Sequence, residues 1–194
     1  MKVGLDGVLA QQANVGKSGF KYAYRNIRFM RAALQSVPGR STSTGLCFKN
    51  SGVVDIHTVP FANLCRYDQR YFPSQRQEFL RNWTKMPHSK AIAYVAGGEV
   101  RGYGVIRSCL EGYKIGPLLA DRDDIAETLF TGLSSFAEPG SPIYLDVPEK
   151  NPAALALVAR HGMAKVFETA RMYTGDEPSI GVDGVYGVTT FELG

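Results

Sequence analysis

Residues 144–152 read Tyr144-Leu145-Asp146-Val147-Pro148-Glu149-Lys150-Asn151-Pro152, and a run from Ala153 to Gly162 follows them. Ile143-Tyr144-Leu145, bounded by Pro142 and Pro148, is an apolar run suited to a strand covered on both faces. Asn151 then predicts a helix N-cap, with Pro152 at the first helical position, where a missing N–H costs nothing. Ala153 to Val158 are all apolar, so the helix should be packed on most sides. Gly162 supplies a left-handed stop. Strand, capped helix and glycine make one α/β unit whose turn is a natural ligand site.

Working outward, the start of the chain echoes this unit. Leu5-Asp6 matches Leu145-Asp146, and Gly19-Phe20 matches Gly162-Met163. Arg28 stands as far past Gly19 as Arg171 stands past Gly162, and only the intervening helix is shorter, by three residues. An internal repeat is expected, with residues 1–36 a helix and strand remaining from the end of a preceding domain. Such a fragment would expose Phe20, Tyr22, Ile27 and Phe29, so it should dock on the main domain or pair with a second chain as a homodimer. Residues 37–51, full of Pro, Gly, Ser and Thr, read as a linker, which leaves 52–194 as the main domain.

Within 52–194 the pattern predicts a strand at 53–59, a helical pattern beginning at Phe61 and broken at Phe72-Pro73, a helix at 75–83, and a hairpin of 91–96 and 100–107 about Gly97-Gly98. A strand at 113–118 and an amphipathic helix over 123–133 precede the opening unit. Strands at 166–173 and 185–193 close the chain. This is an α/β (α+β) layout with helices between strands.

Composition narrows the function classes. Hydrophobic residues at 44% and charged residues at 21% describe an ordinary globular protein. The net charge of +4 is spread over scattered Lys and Arg, which suits phosphate-bearing small molecules and lacks the basic stripe of a nucleic-acid binder. Cys47, Cys65 and Cys109 form no CxxC pair, so neither a metal site nor a disulfide framework is expected. No signal core or membrane-length apolar run appears, and a cytoplasmic protein is expected.

Several short motifs, in this order, resemble the GNAT superfamily of acyl-CoA-dependent N-acyltransferases, and more closely its YitH-type members with two domains in tandem. They are Gly102-Tyr103-Gly104, Ile115-Gly116-Pro117-Leu118, Leu145-Asp146-Val147-Pro148 with Asn151, His161-Gly162-Met163, Arg171-Met172-Tyr173 and Tyr186 to Gly194. The resemblance implies a mixed, mostly antiparallel sheet whose fourth and fifth strands splay, here 113–118 and 143–146, with helices on both faces. It implies acetyl-CoA as acyl donor, its pantetheine arm in the gap beside Ile115, Gly116, Pro117, Leu118 and Asn151. The pyrophosphate would then sit at the next helix start, Arg122, Asp123, Asp124, Ile125 and Ala126. Two features depart from the family. Its glycine-rich loop is replaced by Arg122-Asp123-Asp124, where the acids either cap the helix or modify the anion site. The family's helix tyrosine, seven residues after the Asn, is Val158.

Transfer to an amine needs a base and a hole for the oxyanion. Asp146 and Glu111 are the candidate bases, each with a plainer reading, as a turn-binding acid and a solvated turn acid. Tyr173 or a water is the candidate acid, or none is needed, since a CoA thiolate is already a fair leaving group at neutral pH. His57, His88 and His161 have no nucleophile or carboxylate at telling spacing. Phe61, Tyr71, Phe72, Phe79 and Trp83 are candidates to line an acceptor pocket or to fill the core. The expectation is an N-acetyltransferase acting on a small amine or amino-acid-like acceptor, the alternative a non-catalytic CoA-binding or interaction module.

Overall fold

The computed structural model describes residues 3–34, 52–72 and 74–191; the expected linker, Cys47 and residues 192–194 lie outside them. In chain order the elements are β1 (Gly4–Val8), α1 (Gln12–Lys17), β2 (Lys21–Ala32), β3 (Val53–Asp55), α2 (Phe61–Asp68), α3 (Gln77–Trp83) and β4 (Ser89–Ala96). There follow β5 (Glu99–Ser108), β6 (Tyr113–Ala120), α4 (Asp123–Ser134), β7 (Pro142–Pro148), α5 (Pro152–Arg160), β8 (Ala164–Tyr173) and β9 (Val185–Gly187). Among the described residues all nine strands belong to one sheet of order β1-β8-β2-β7-β6-β5-β4-β3, with β9 added to β6. Every pairing is antiparallel except β6 with β7.

Helices cover both faces of the sheet. Successive side chains on a strand point to opposite faces, and Leu118 and Leu119 accordingly enter different cores. Leu118 packs with Leu129, Phe130 and Leu133 of α4 and Leu157 of α5. Leu119 packs with Leu64 and Tyr67 of α2 and Leu80 of α3. A buried ionic knot fixes that second face: Arg76 forks both oxygens of Asp68 at 2.7 and 2.8 Å, and the Tyr103 hydroxyl donates to the same carboxylate at 2.5 Å. Among the described residues, no helix is long and apolar enough to cross a membrane.

The early fragment is woven into this sheet rather than laid on it. β2 lies between β7 and β8, while β1 pairs with the outer edge of β8. The two units β1–α1–β2 and β7–α5–β8 therefore exchange partners, each closing strand pairing with the opening strand of the other. Asn26 and Thr169, each two residues before its arginine, face one another at the centre of this arrangement. On either side the same pair recurs, Asp6 opposite Arg171 and Asp146 opposite Arg28. Both carboxylates are fully buried. A buried carboxylate without its cation costs several kcal/mol, about 3–5. Each unit thus depends on the arginine of the other.

Two expected strands are shorter than their patterns suggest. At 53–59 the Asp55 carboxylate accepts the His57 N–H at 3.0 Å and converts the end into a 3-10 turn. Of the strand expected at 185–193, among the described residues up to 191 only Val185–Gly187 pairs as a strand, because the chain then crosses from β6 toward β7.

A chain beginning at Gly52 lacks the partners of β7 and β8 and leaves Asp146 without Arg28. It should show no cooperative thermal transition and should aggregate by light scattering. A soluble monomer melting like the full chain would contradict this interleaving.

Candidate functional site

The site region starts where β6 and β7 part. They pair in parallel only from Tyr113 opposite Ile143 to Ile115 opposite Leu145. Gly116-Pro117, joined by a cis bond, then turns β6 away, and Trp83 donates its indole N–H to the Gly116 carbonyl at 2.9 Å. Proline removes a ladder donor, so pairing with β7 stops there.

The gap is not open. β9 enters it antiparallel to β6, with Gly187 opposite Leu118 and Val185 opposite Leu119. From there Val188 donates its N–H to the Asp146 carbonyl of β7 at 2.9 Å. The packing is tight enough to require glycine twice. A Cβ at Gly116 would lie 2.5 and 2.6 Å from the Thr189 and Val188 carbonyl oxygens, and one at Gly187 would lie 2.5 Å from Leu145. Asn151 anchors the entry of this segment. Its Oδ1 accepts the Ala154 N–H at 3.0 Å, as the N-cap reading expects, and its Nδ2 donates to the Asp183 and Val185 carbonyls at 2.9 and 3.0 Å.

The start of α4 is likewise engaged. Arg122 forks Asp124 at 2.5 and 2.9 Å, which lowers the Asp124 carboxyl below its ordinary range. The Tyr186 hydroxyl of β9 donates to Asp123 at 2.5 Å. Ile125 and Ala126 are buried in the core with Ile115 and Leu118. Two carboxylates therefore answer the positive end of the helix dipole.

The three candidate catalytic side chains lie apart. Asp146 is buried, forked by Arg28 at 2.7 and 2.9 Å and paired with Lys114, and the Phe191 ring lies 4.5 Å from the Arg28 guanidinium. Both of its oxygens are taken. Glu111 is exposed in the turn before β6, at the closed end of the gap. Tyr173 is buried near the end of β8, where its hydroxyl accepts from Arg171 Nε at 3.0 Å. Among the described residues, no three His, Cys, Asp or Glu side chains converge as a metal site. His161 is held by Glu127 at 2.5 Å.

Tyr173 does line a cavity. It measures about 110 Å³ and lies where β2, β8 and the end of β7 meet the loop of residues 178–182. Tyr24, Asn26, Arg171 and Tyr173 form its polar side, while Tyr71, Phe72, Pro148 and Ile180 form part of its apolar wall. Burial first, and then the neighbouring Tyr173 hydroxyl, hold the Tyr24 phenol well above its ordinary pKa. Arg171 is neutralised by Asp6 at 2.7 Å, and Asn26 Nδ2 donates to the other oxygen of Asp6 at 2.7 Å.

Residues 64–187, more than half of the chain, match the family model described as an acetyltransferase (GNAT) domain. The chain belongs to the GNAT family. It is 25% identical over 192 residues to the holothin acyltransferase of Pseudoalteromonas sp. strain SANK 73390, covering 99% of this chain and 62% of that protein. A crystal structure from Pyrococcus horikoshii assigned as an acetyltransferase shares the fold at a TM-score of 0.76 and 22% identity, over 100% of this chain and 60% of that one. A GCN5-related N-acetyltransferase from Kribbella flavida follows at 0.54 and 12%, over 89% and 42%. The chain thus spans about three-fifths of the first two relatives.

GNAT enzymes use acyl-CoA, and the residues of this GNAT chain do not fit its arm between β6 and β7. Residues 185–190 fill that gap, and the α4 start carries two carboxylates where a pyrophosphate would need donors. Of the residues expected to hold the donor, Ile115 and Leu118 face the core, Gly116 makes room for the crossing segment, and Asn151 tethers it. Sequence reasoning missed Arg28, Lys114, Tyr24 and Asn26. The equal spacing of Arg28 and Arg171 from their glycines was the signal for the first; a lone Lys or Asn in a strand carries none.

Gly116→Ala should lower stability by about 2–4 kcal/mol, read by denaturant unfolding, because backbone rather than a side chain blocks the new methyl. A change under about 0.5 kcal/mol would mean that the gap is loose. Burial, with Asp123 beside it, also raises the Tyr186 phenol, and Tyr67 and Tyr103 are raised by burial first. A group whose folded pKa is raised favours the fold fully below its unfolded value and loses that as pH rises through the folded value. Thermal stability should therefore fall steeply above about pH 10, the ordinary phenol value. Tyr186→Phe should soften that fall; an unchanged alkaline limb would place Tyr186 outside the core.

Proposed function

We propose that this protein is an acyl-CoA-dependent N-acetyltransferase that moves an acetyl group from acetyl-CoA directly to a small amine or amino-acid-like acceptor in the cytoplasm. The carrying observation is the cavity beside Tyr173 in a chain of the GNAT family. The holothin acyltransferase, a relative by sequence, supports acyl transfer as the reaction class.

In direct transfer the amine nitrogen bonds to the acyl carbon and the carbon–sulfur bond breaks with its pair on sulfur. The proton that the amine loses balances the one that the thiolate takes. Tyr173 suits the delivery of that proton: its hydroxyl, which accepts from Arg171 and neighbours the Tyr24 hydroxyl, carries an O–H at the cavity wall. Asp146, held by two cations, is proposed as a positioning residue that orients Arg28 and Lys114. Glu111, exposed and at the far end of β6, is assigned no proton.

The pairing of β1–α1–β2 with β7–α5–β8 supports reading residues 1–36 as the closing part of a preceding GNAT-like unit. The filled gap favours a second reading for residues 52–194 by themselves, a non-catalytic GNAT module that completes the acceptor side.

Thiol release from acetyl-CoA in the presence of a panel of amines tests the proposal. Transfer should occur, with kcat reduced about tenfold or more in Tyr173→Phe and unchanged within about twofold in Glu111→Gln. Absence of release with every amine, or no effect of Tyr173→Phe, would sink it.

A further inference from the structure

We propose that the cavity between β2, β8 and the 178–182 loop binds a small, uncharged aromatic or heteroaromatic amine. The assignment rests on the acyl-transfer reading for the ligand's fate and on the cavity alone for its chemistry.

Asn26 is 1% exposed and lines the cavity. Its Nδ2 must face the Asp6 carboxylate, since two oxygens would repel there, so the orientation of the amide is fixed by charge. Its Oδ1 is left buried with no hydrogen-bond partner among the described residues. An unsatisfied buried acceptor is costly, and a ligand N–H is the group that answers it.

The cavity lining carries no acid and no imidazole: none of its residues is Asp, Glu or His. An aliphatic amine arrives as an ammonium ion and would be buried beside Arg171 with no carboxylate to pair it and no base to take its proton. An arylamine has its lone pair delocalised into the ring and is neutral near pH 7, so it needs neither. The only cation in the lining, Arg171, is already committed to Asp6 and Tyr173. A ligand carboxylate, as in a free amino acid, therefore finds no partner either.

An apolar cavity of roughly 150 Å³ holds a benzene ring, and this one, at about 110 Å³ with an open mouth, suits a five- or six-membered ring. Tyr71 and Phe72 bring aromatic side chains to its wall.

Calorimetry and saturation-transfer NMR on the full chain, without acyl donor, test this with aniline and 2-aminothiazole against benzylamine and L-phenylalanine. The two neutral amines should bind at least about tenfold more tightly than the two charged ones. Ile180→Trp fills the cavity from the loop, away from the polar network, and should weaken aniline binding about tenfold or more with the melting temperature unchanged. Asn26→Leu should do the same, with Ile180→Trp deciding if that variant fails to fold. Equal binding of benzylamine or phenylalanine, or aniline binding untouched by Ile180→Trp, would overturn the assignment. Binding without any acetylated product on adding acetyl-CoA would uphold the cavity and sink the transfer reading. Acetyl transfer whose KM for the amine ignores Ile180→Trp would do the reverse.

Discussion

Two buried carboxylates, each answered by an arginine from the other α/β unit, are the constraint on which the rest of this structure depends. Asp6 reaches Arg171 and Asp146 reaches Arg28, in directly opposed register positions on either side of the Asn26–Thr169 pair. Because a buried carboxylate stripped of a cation is far less stable than one in water, each unit loses stability without the other: Asp6 loses Arg171, and Asp146 is left with Lys114 alone. The exchange of strands follows from this. So does the polar row across the sheet, from Asp6 through Arg171 and Arg28 to Asp146 and Lys114, that ends at the cavity on one side and at the β6–β7 gap on the other.

The same arrangement accounts for the closed gap. One edge of β7 is taken by β2 along its full length, and the other loses β6 beyond Leu145. The backbone groups left on β7 find their partner in the crossing segment, through the Val188 N–H to the Asp146 carbonyl. Two glycines and the amide of Asn151 make that crossing sterically and electrostatically consistent. A GNAT sheet is thereby kept while the gap expected to take acyl-CoA is filled, and a row of buried polar residues lies where the two units meet.

Much of the fold was legible in the residues because it rests on local signals. Asn151-Pro152, the glycine stops and the alternation of β4 and β5 each mark an element by its own chemistry, and the repeated Leu-Asp, Gly and Arg positions announced two related units. The pairing of those units was not legible, since register and strand exchange depend on contacts between residues more than a hundred positions apart. The candidate site was legible only in part. Tyr173, Tyr71 and Phe72 were singled out and meet at one cavity. Asp146 read as a base because a strand-end carboxylate gives no sign of two buried cations on other strands. The 185–193 pattern read as one long strand because alternation does not reveal that its second half crosses between two neighbours.

Native-state hydrogen exchange at the Val188 amide tests the central claim most directly. If residues 185–190 close the β6–β7 gap through the Val188–Asp146 bond, that amide should exchange as slowly as the core of β7, and saturating acetyl-CoA should leave its protection unchanged. Fast exchange in the free protein, or protection lost when acetyl-CoA is added, would mean that the gap opens to admit the donor and would contradict this account.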